Sequence, residues 1–216
     1  MSATQVDSES KVPASILILF TFWVLGTSVA MFLFQGKDLR LFYQNEQQMQ
    51  VFFEGGEFSQ ALNTYLSSYS GLDSSKAYVF HFWNPDCTCD QANSEHVRSL
   101  ITNYSENTVF FVVSSHEHYE AYLEQWLNVL PYERVEFVAY EKLALEIEPP
   151  ATPAVAVVQA SGKMNYFGPY SEGGVCLPNE NGIVEGVLDS IFDGKSKYYP
   201  FTSGYGCYCP WKSRAT

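Results

Sequence analysis

Apolar residues fall along this chain in two regimes. From Ala14 to Phe34, "ASILILFTFWVLGTSVAMFLF" holds 21 residues without a charge, and a helix needs about 20 such residues to cross the hydrocarbon layer of a bilayer. Beyond it the apolar positions come in short blocks that switch between strand and helix patterns. A short strand is expected in "QVFFE" (50–54) and an amphipathic helix in "EFSQALNTYLSSY" (57–69), followed by the aromatic strand "AYVFHFW" (77–83). A helix then runs from just after Cys87 to about Tyr104, "TVFFVVS" (108–114) reads as a buried strand, and "HEHYEAYLEQWLNVL" (116–130) as a helix closed by Pro131. The strand "RVEFVAY", a short helix, the strand "PAVAVVQ", a Ser-Gly turn, the strand "MNYFG" and a last helix "NGIVEGVLDSIF" complete the series. This βαβαβαββα order implies an α/β three-layer sandwich around a mixed sheet, with parallel strands first and an antiparallel hairpin last.

The organisation expected is a leader at 1–13, a transmembrane anchor at 14–35, a juxtamembrane linker at 36–48, the sandwich at 49–193 and a cysteine-containing tail at 194–216. A cleaved signal peptide ending near Ala30 and a buried core helix are the alternatives to the anchor. The length of the apolar run and the acidic Asp7 and Glu9 before it favour the anchor. Twelve basic residues against 24 acidic give a net charge of -12, which repels phosphate backbones and speaks against a nucleic acid partner. Lys11 on one side of the span and Lys37 and Arg40 on the other do not fix its orientation. Cysteine usage does more: of five cysteines, four form two C-x-C pairs, Cys87/Cys89 and Cys207/Cys209, which suits an oxidising compartment. The expectation is one pass through the cytoplasmic membrane, with the soluble domain periplasmic or otherwise outside the cytoplasm.

Three separated stretches carry a family resemblance. In "HFWNPDC", Phe82 and Trp83 lead from a strand into Cys87; in "ATPAVAVV", Pro153 opens a strand; in "SGKMNYFGPY", a turn, a strand and Gly168 form the end of a hairpin. In this order and spacing they resemble the thioredoxin-like superfamily over roughly Met49 to Phe192. The resemblance implies that Cys87 is the attacking cysteine, that Pro153 is the cis-proline beside it, and that His81 stands where many such proteins carry a buried acidic proton shuttle. A histidine there could take a proton from a resolving cysteine at neutral pH; the plainer reading is a hydrogen-bonded core histidine. No cofactor is called for.

The motif departs from the family's C-x-x-C. Here it is C-T-C, with Asp90 at the fourth position, and residues two apart on a helix point in roughly opposite directions, so a Cys87–Cys89 disulfide would distort the first turn. A thiolate at Cys87, at a helix start, is favoured by unpaired backbone N–H groups and opposed by Asp86 and Asp90. Asp86 reads as the N-cap, Cys87 as exposed, and Cys89 as pointing to the core or to the loop carrying Cys176. Cys176, Cys207 and Cys209 are disulfide or third-thiol candidates, and the path of the tail is not derivable.

Three functions stand from this reading. One is a membrane-anchored thiol-disulfide oxidoreductase or isomerase-like protein, with Cys87 as nucleophile and Cys89 or Cys176 as resolver, acting on protein thiols or disulfides. Another is a Cu(I)- or Zn(II)-binding or delivery module using Cys87, Cys89, His116 and His118. The third is a redox-inactive interaction domain braced by its disulfides.

Overall fold

The computed structural model describes residues 13–36, 39–53, 55–127, 135–170, 182–194 and 205–211. It divides into two units, Met1–Lys37 and Asp38–Thr216. In the first, α1 (Ala14–Gly36) is a continuous helix of 23 residues, about 34 Å long at 1.5 Å per residue. Its Ala14–Leu33 stretch is long and apolar enough to span a membrane, a test that a signal sequence also passes. Its apolar side chains, from Ile16 to Leu33, are exposed, as a lipid-facing surface requires.

The second unit is the sandwich. Its strands are β2 (Ala77–Phe82), β3 (Thr108–Ser114), β4 (Val135–Ala139), β5 (Ala154–Gln159) and β6 (Met164–Gly168), laid side by side in the order β4-β3-β2-β5-β6. The first three are parallel; β5 runs antiparallel to β2, and β6 antiparallel to β5. This is the thioredoxin-like arrangement. The β5–β6 turn uses Gly162 at φ +86°, a conformation open to glycine at little cost.

Side chains on a strand alternate between faces, and β2 uses both. Tyr78, Phe80 and Phe82 pack with Phe58, Leu62 and Leu66 of α3 (Glu57–Ser68). Ala77 and Val79 pack with Val97, Leu100 and Ile101 of α4 (Thr88–Tyr104) and with Val184, Val187 and Leu188 of α6 (Ile183–Phe192). Phe167 is the aromatic hub of the first face, with ring centroids 4.6 Å from Phe58, 4.8 Å from Phe52 and 5.9 Å from Phe82. Truncation to Ala should cost ~3–5 kcal/mol, the range for a buried phenyl ring; a denaturant midpoint of Phe167→Ala close to that of the unaltered protein would refute this hub role.

Several local expectations are corrected. "QVFFE" is not a strand: α2 (Glu46–Gln50), capped by Asn45, is followed by a turn, with Phe52 and Phe53 buried. Phe52 packs on Phe58 and Phe167 from this turn, so its strand-like composition is used for core packing and not for strand pairing. The stretch read as a linker, 36–48, contains β1 (Leu39–Leu41) and the start of α2, and buries Phe42 and Tyr43. The helix expected over 116–130 begins as a 3-10 turn at His116–His118, continues as α5 (Tyr119–Tyr122) and widens into a π turn at Leu123–Leu127. Its end lies outside the described residues. The tail returns as β7 (Tyr205–Cys207), antiparallel to β1.

Candidate functional site

The loop from β2 into α4 is built around Asn84, which is buried. Its carbonyl accepts from Cys87 N at 3.0 Å, its Oδ1 accepts from Asp86 N at 3.0 Å, and its own N–H donates to Asp90 Oδ2 at 3.0 Å. Asn84 thus folds "NPDC" into a tight turn that delivers Cys87 to the N-cap of α4, where the backbone is extended (φ -87°, ψ 118°). The N-cap is therefore Cys87 and not Asp86: the Cys87 carbonyl accepts the first helical bond, from Gln91 N at 3.1 Å. Cys87 is also buried rather than exposed, at 1%. What covers it is the C-terminal tail.

Cys87 is disulfide-bonded to Cys209, 122 positions away in sequence, with Cα atoms 5.8 Å apart. This corrects the pairing weighed for Cys87 and Cys89: two residues apart on α4, their side chains diverge, whereas the tail brings Cys209 over the helix start. Cys89 is buried and also disulfide-bonded; its partner's side chain lies outside the described residues, as does Cys176. Cys207 is described only through its backbone in β7. A loop as long as that closed by Cys87–Cys209 restricts the unfolded chain by roughly 4–5 kcal/mol on the chain-entropy account.

The tail is held by more than sulfur. Cys209 makes an antiparallel bridge with Thr152, its N–H donating to Thr152 O at 2.9 Å and its carbonyl accepting from Thr152 N at 3.0 Å. The next peptide bond, Thr152–Pro153, is cis. Pro210 O accepts from Asn84 Nδ2 at 3.5 Å. Trp211, 8% exposed, sits with its ring 5.6 Å from Phe82 and 5.2 Å from Tyr140, while Tyr208 packs at 5.5 Å on Phe42.

Asp90 is the group that the sequence reading undervalued. It is 1% exposed, and burial pushes its carboxyl up to about 8, against the opposing effect of its bonds with Thr152 and Asn84. Thr152 Oγ1 meets both Asp90 Oδ2 and Phe82 O. A hydroxyl has one proton to give. As an anion Asp90 accepts from Thr152 Oγ1; with the carboxyl protonated, the form its raised value favours at neutral pH, Asp90 would donate to Thr152 Oγ1 and leave Thr152 to donate to Phe82 O. The anionic opposition to a Cys87 thiolate assigned to Asp90 therefore weakens as pH falls through about 8. Cys87 Sγ lies 3.8 Å from Thr152 O, so Thr152 joins sulfur, tail and acid. One sequence cue could have exposed Asp90: it stands three residues after Cys87, on the same helical face. For Trp211 no local cue exists.

His81 faces Tyr170, which is itself electrostatically coupled to Asp90. On β2 it is 1% exposed, its Nδ1 is 2.8 Å from Tyr170 Oη, and its ring meets Trp126. Burial drives its pKa down to about 3, so it is a neutral imidazole at physiological pH. His116 is exposed, and His118 Nδ1 pairs with Ser114 Oγ at 2.9 Å. Among the described residues no group of three or more His, Cys, Asp or Glu gathers in a metal-holding cluster; the set Cys87, Cys89, His116 and His118 is not brought together, and Cys87 and Cys89 are spent in disulfides.

Residues 57–211 match the family described as Domain of unknown function DUF6436. The chain belongs to that family. The match ends on Trp211, so the family unit takes in the tail that covers Cys87. No curated protein matches the chain. Among solved structures, it is similar to an uncharacterized conserved protein from Geobacillus kaustophilus (16% identity, TM-score 0.47, covering 67% of this chain and 81% of that one). It is also similar to a thioredoxin-like protein in its oxidized form (16% identity, TM-score 0.40, 56% and 80%). A third similar structure is the N-terminal domain of PilB from Neisseria gonorrhoeae (18% identity, TM-score 0.38, 59% and 82%).

Proposed function

We propose that the protein is a membrane-anchored thiol-disulfide exchange protein in which Cys87 is the reacting sulfur and Cys209 its resident partner. The observation that carries this reading is the Cys87–Cys209 bond at the head of α4, backed by a buried Asp90 whose carboxyl is raised to about 8. An incoming thiolate that attacks Cys209 Sγ forms a bond to it and breaks Cys87–Cys209, releasing Cys87 as thiolate. Attack on Cys87 Sγ releases Cys209 instead. In either case one sulfur–sulfur bond is exchanged for another, and no further oxidant or reductant enters. Half-buried Cys209 is open to the thiolate that reduces the pair, and the Cys87 thiolate so released, stabilised at the start of α4 by free backbone N–H groups and the helix dipole, is the sulfur that then attacks a partner disulfide. Two disulfides support a domain on the oxidising side of the membrane.

A thiol count tests the resting state. Of five cysteines, Cys87, Cys209, Cys89 and the partner of Cys89 are engaged, leaving one. Denatured without reductant, the protein should show one reactive thiol per chain, and five after reduction; five in both conditions, from protein prepared under air, would defeat the proposal. The anchor is tested separately: alkaline carbonate should leave the full chain in the membrane pellet, and a mature N-terminus at Met31 would show a cleaved signal instead.

A further inference from the structure

We infer that the groove now filled by Cys209, Pro210 and Trp211 is a peptide site, and that it takes an extended partner segment presenting a cysteine with a large aromatic residue two positions later. This rests on the thiol-exchange reading above and names its substrate class. The chain's own tail shows each element of recognition. The main chain of the cysteine is read by both hydrogen-bonding groups of Thr152, which work for any residue in extended conformation. The carbonyl of the following residue meets the Asn84 amide. The aromatic side chain two residues on enters the gap between Phe82 and Tyr140. Beside it lies a pocket of about 100 Å³, walled in part by Trp83, His118, Tyr140 and Glu141, so the aromatic position has room beyond the indole. None of these contacts depends on the tail being covalently part of the chain. A partner segment of the same pattern would compete with the tail for the groove, and its sulfur would stand where Cys209 Sγ stands, bonded to Cys87.

The test uses the full chain in detergent carrying Cys209→Ser, which frees Cys87, with Cys87→Ser/Cys209→Ser as the blank for the other cysteines. The probes are the tetrapeptides Tyr-Cys-Pro-Trp and Tyr-Cys-Pro-Ala, each with its sulfur in a disulfide to thionitrobenzoate. Attack by the Cys87 thiolate joins it to the peptide sulfur and expels coloured thionitrobenzoate, which reports the rate. The Trp peptide should react faster than the Ala peptide by about tenfold, the scale of aromatic pairing beyond plain area burial. Unactivated Tyr-Ser-Pro-Trp should slow the reaction. Trp211→Ala should speed it, by weakening the internal competitor, and Tyr140→Ala should bring the two peptide rates together. Equal rates for the two peptides in the Cys209→Ser protein, with no slowing by Tyr-Ser-Pro-Trp, overturn the inference while leaving thiol exchange intact. Failure of Cys87 to react with either peptide or with the symmetrical thionitrobenzoate disulfide overturns the proposed function itself, and the peptide site with it.

Discussion

Cys209→Ser is expected to capture glutathione or a partner protein as a lasting mixed disulfide on Cys87, while Cys87→Ser captures nothing at this site. In the resting structure Cys87 has its sulfur bonded to Cys209, over a helix start that favours the thiolate. Without Cys209 the free Cys87 thiolate still attacks a partner disulfide and expels its other sulfur, but the sulfur that would return to displace the partner is gone, so the intermediate accumulates. Cys89→Ser separates this from the assignment of Cys89 as resolver: the Cys87–Cys209 bond survives it, and no adduct should build up on Cys87. Mass spectrometry of non-reduced tryptic peptides reads all three variants. Capture by Cys89→Ser with none by Cys209→Ser would mean that Cys89, not Cys209, resolves the intermediate, and would defeat the tail's role.

The second large effect concerns pH. Asp90 has its carboxyl raised from 3.8 to about 8 by burial, so across that window the folded chain holds a proton that the unfolded chain has released. Stability from this group is fully present below about pH 4 and falls as pH rises, until it levels off above about pH 8. The total loss is on the order of a few kcal/mol, since each pKa unit is worth about 1.4 kcal/mol. Asp90→Asn cannot ionise. It keeps the volume of the side chain but cannot both accept from Asn84 N and donate to Thr152 Oγ1 through one atom, so a constant offset is expected. The slope is the readout: between pH 5 and pH 8 the denaturant midpoint should fall more steeply in the unaltered protein than in Asp90→Asn. Parallel profiles would show that Asp90 is ionised in the folded chain and that the proton arrangement at Thr152 is wrong. Exchange by Cys87 should also weaken above about pH 8, where a carboxylate at Asp90 begins to oppose the thiolate.

Much of the fold could be read from periodicity. The strands at Ala77, Thr108, Val135, Ala154 and Met164, and the helices at Glu57, Thr88 and Ile183, lie where apolar patterning puts them, because alternation and helical stripes are properties of neighbouring residues. The apolar helix from Ala14 is equally local. The failures have physical causes too. "QVFFE" has strand-like composition, but its Phe52 ring is claimed by Phe167 and Phe58 from elsewhere in the fold. The helix after His116 has the right residues, yet it tightens at His116–His118 and widens at Leu123–Leu127 in a way that no spacing announces.

The candidate site divides along the same line. The sequence by itself determined that a strand ends in a turn carrying Cys87, that a helix begins there, and that Asp90 shares the helical face of Cys87. Only the tertiary structure decided which sulfur Cys87 meets. That choice depends on the route of the tail, and the route is set by contacts between residues far apart in sequence: Tyr208 on Phe42, Trp211 on Phe82, and the Cys209 backbone on Thr152. Each is a non-directional aromatic contact or a main-chain hydrogen bond that any residue could make, so none leaves a mark in the local pattern. The raised pKa of Asp90 has the same origin, since an aspartate in a helix's first turn reads as solvated until a tail and a strand close over it.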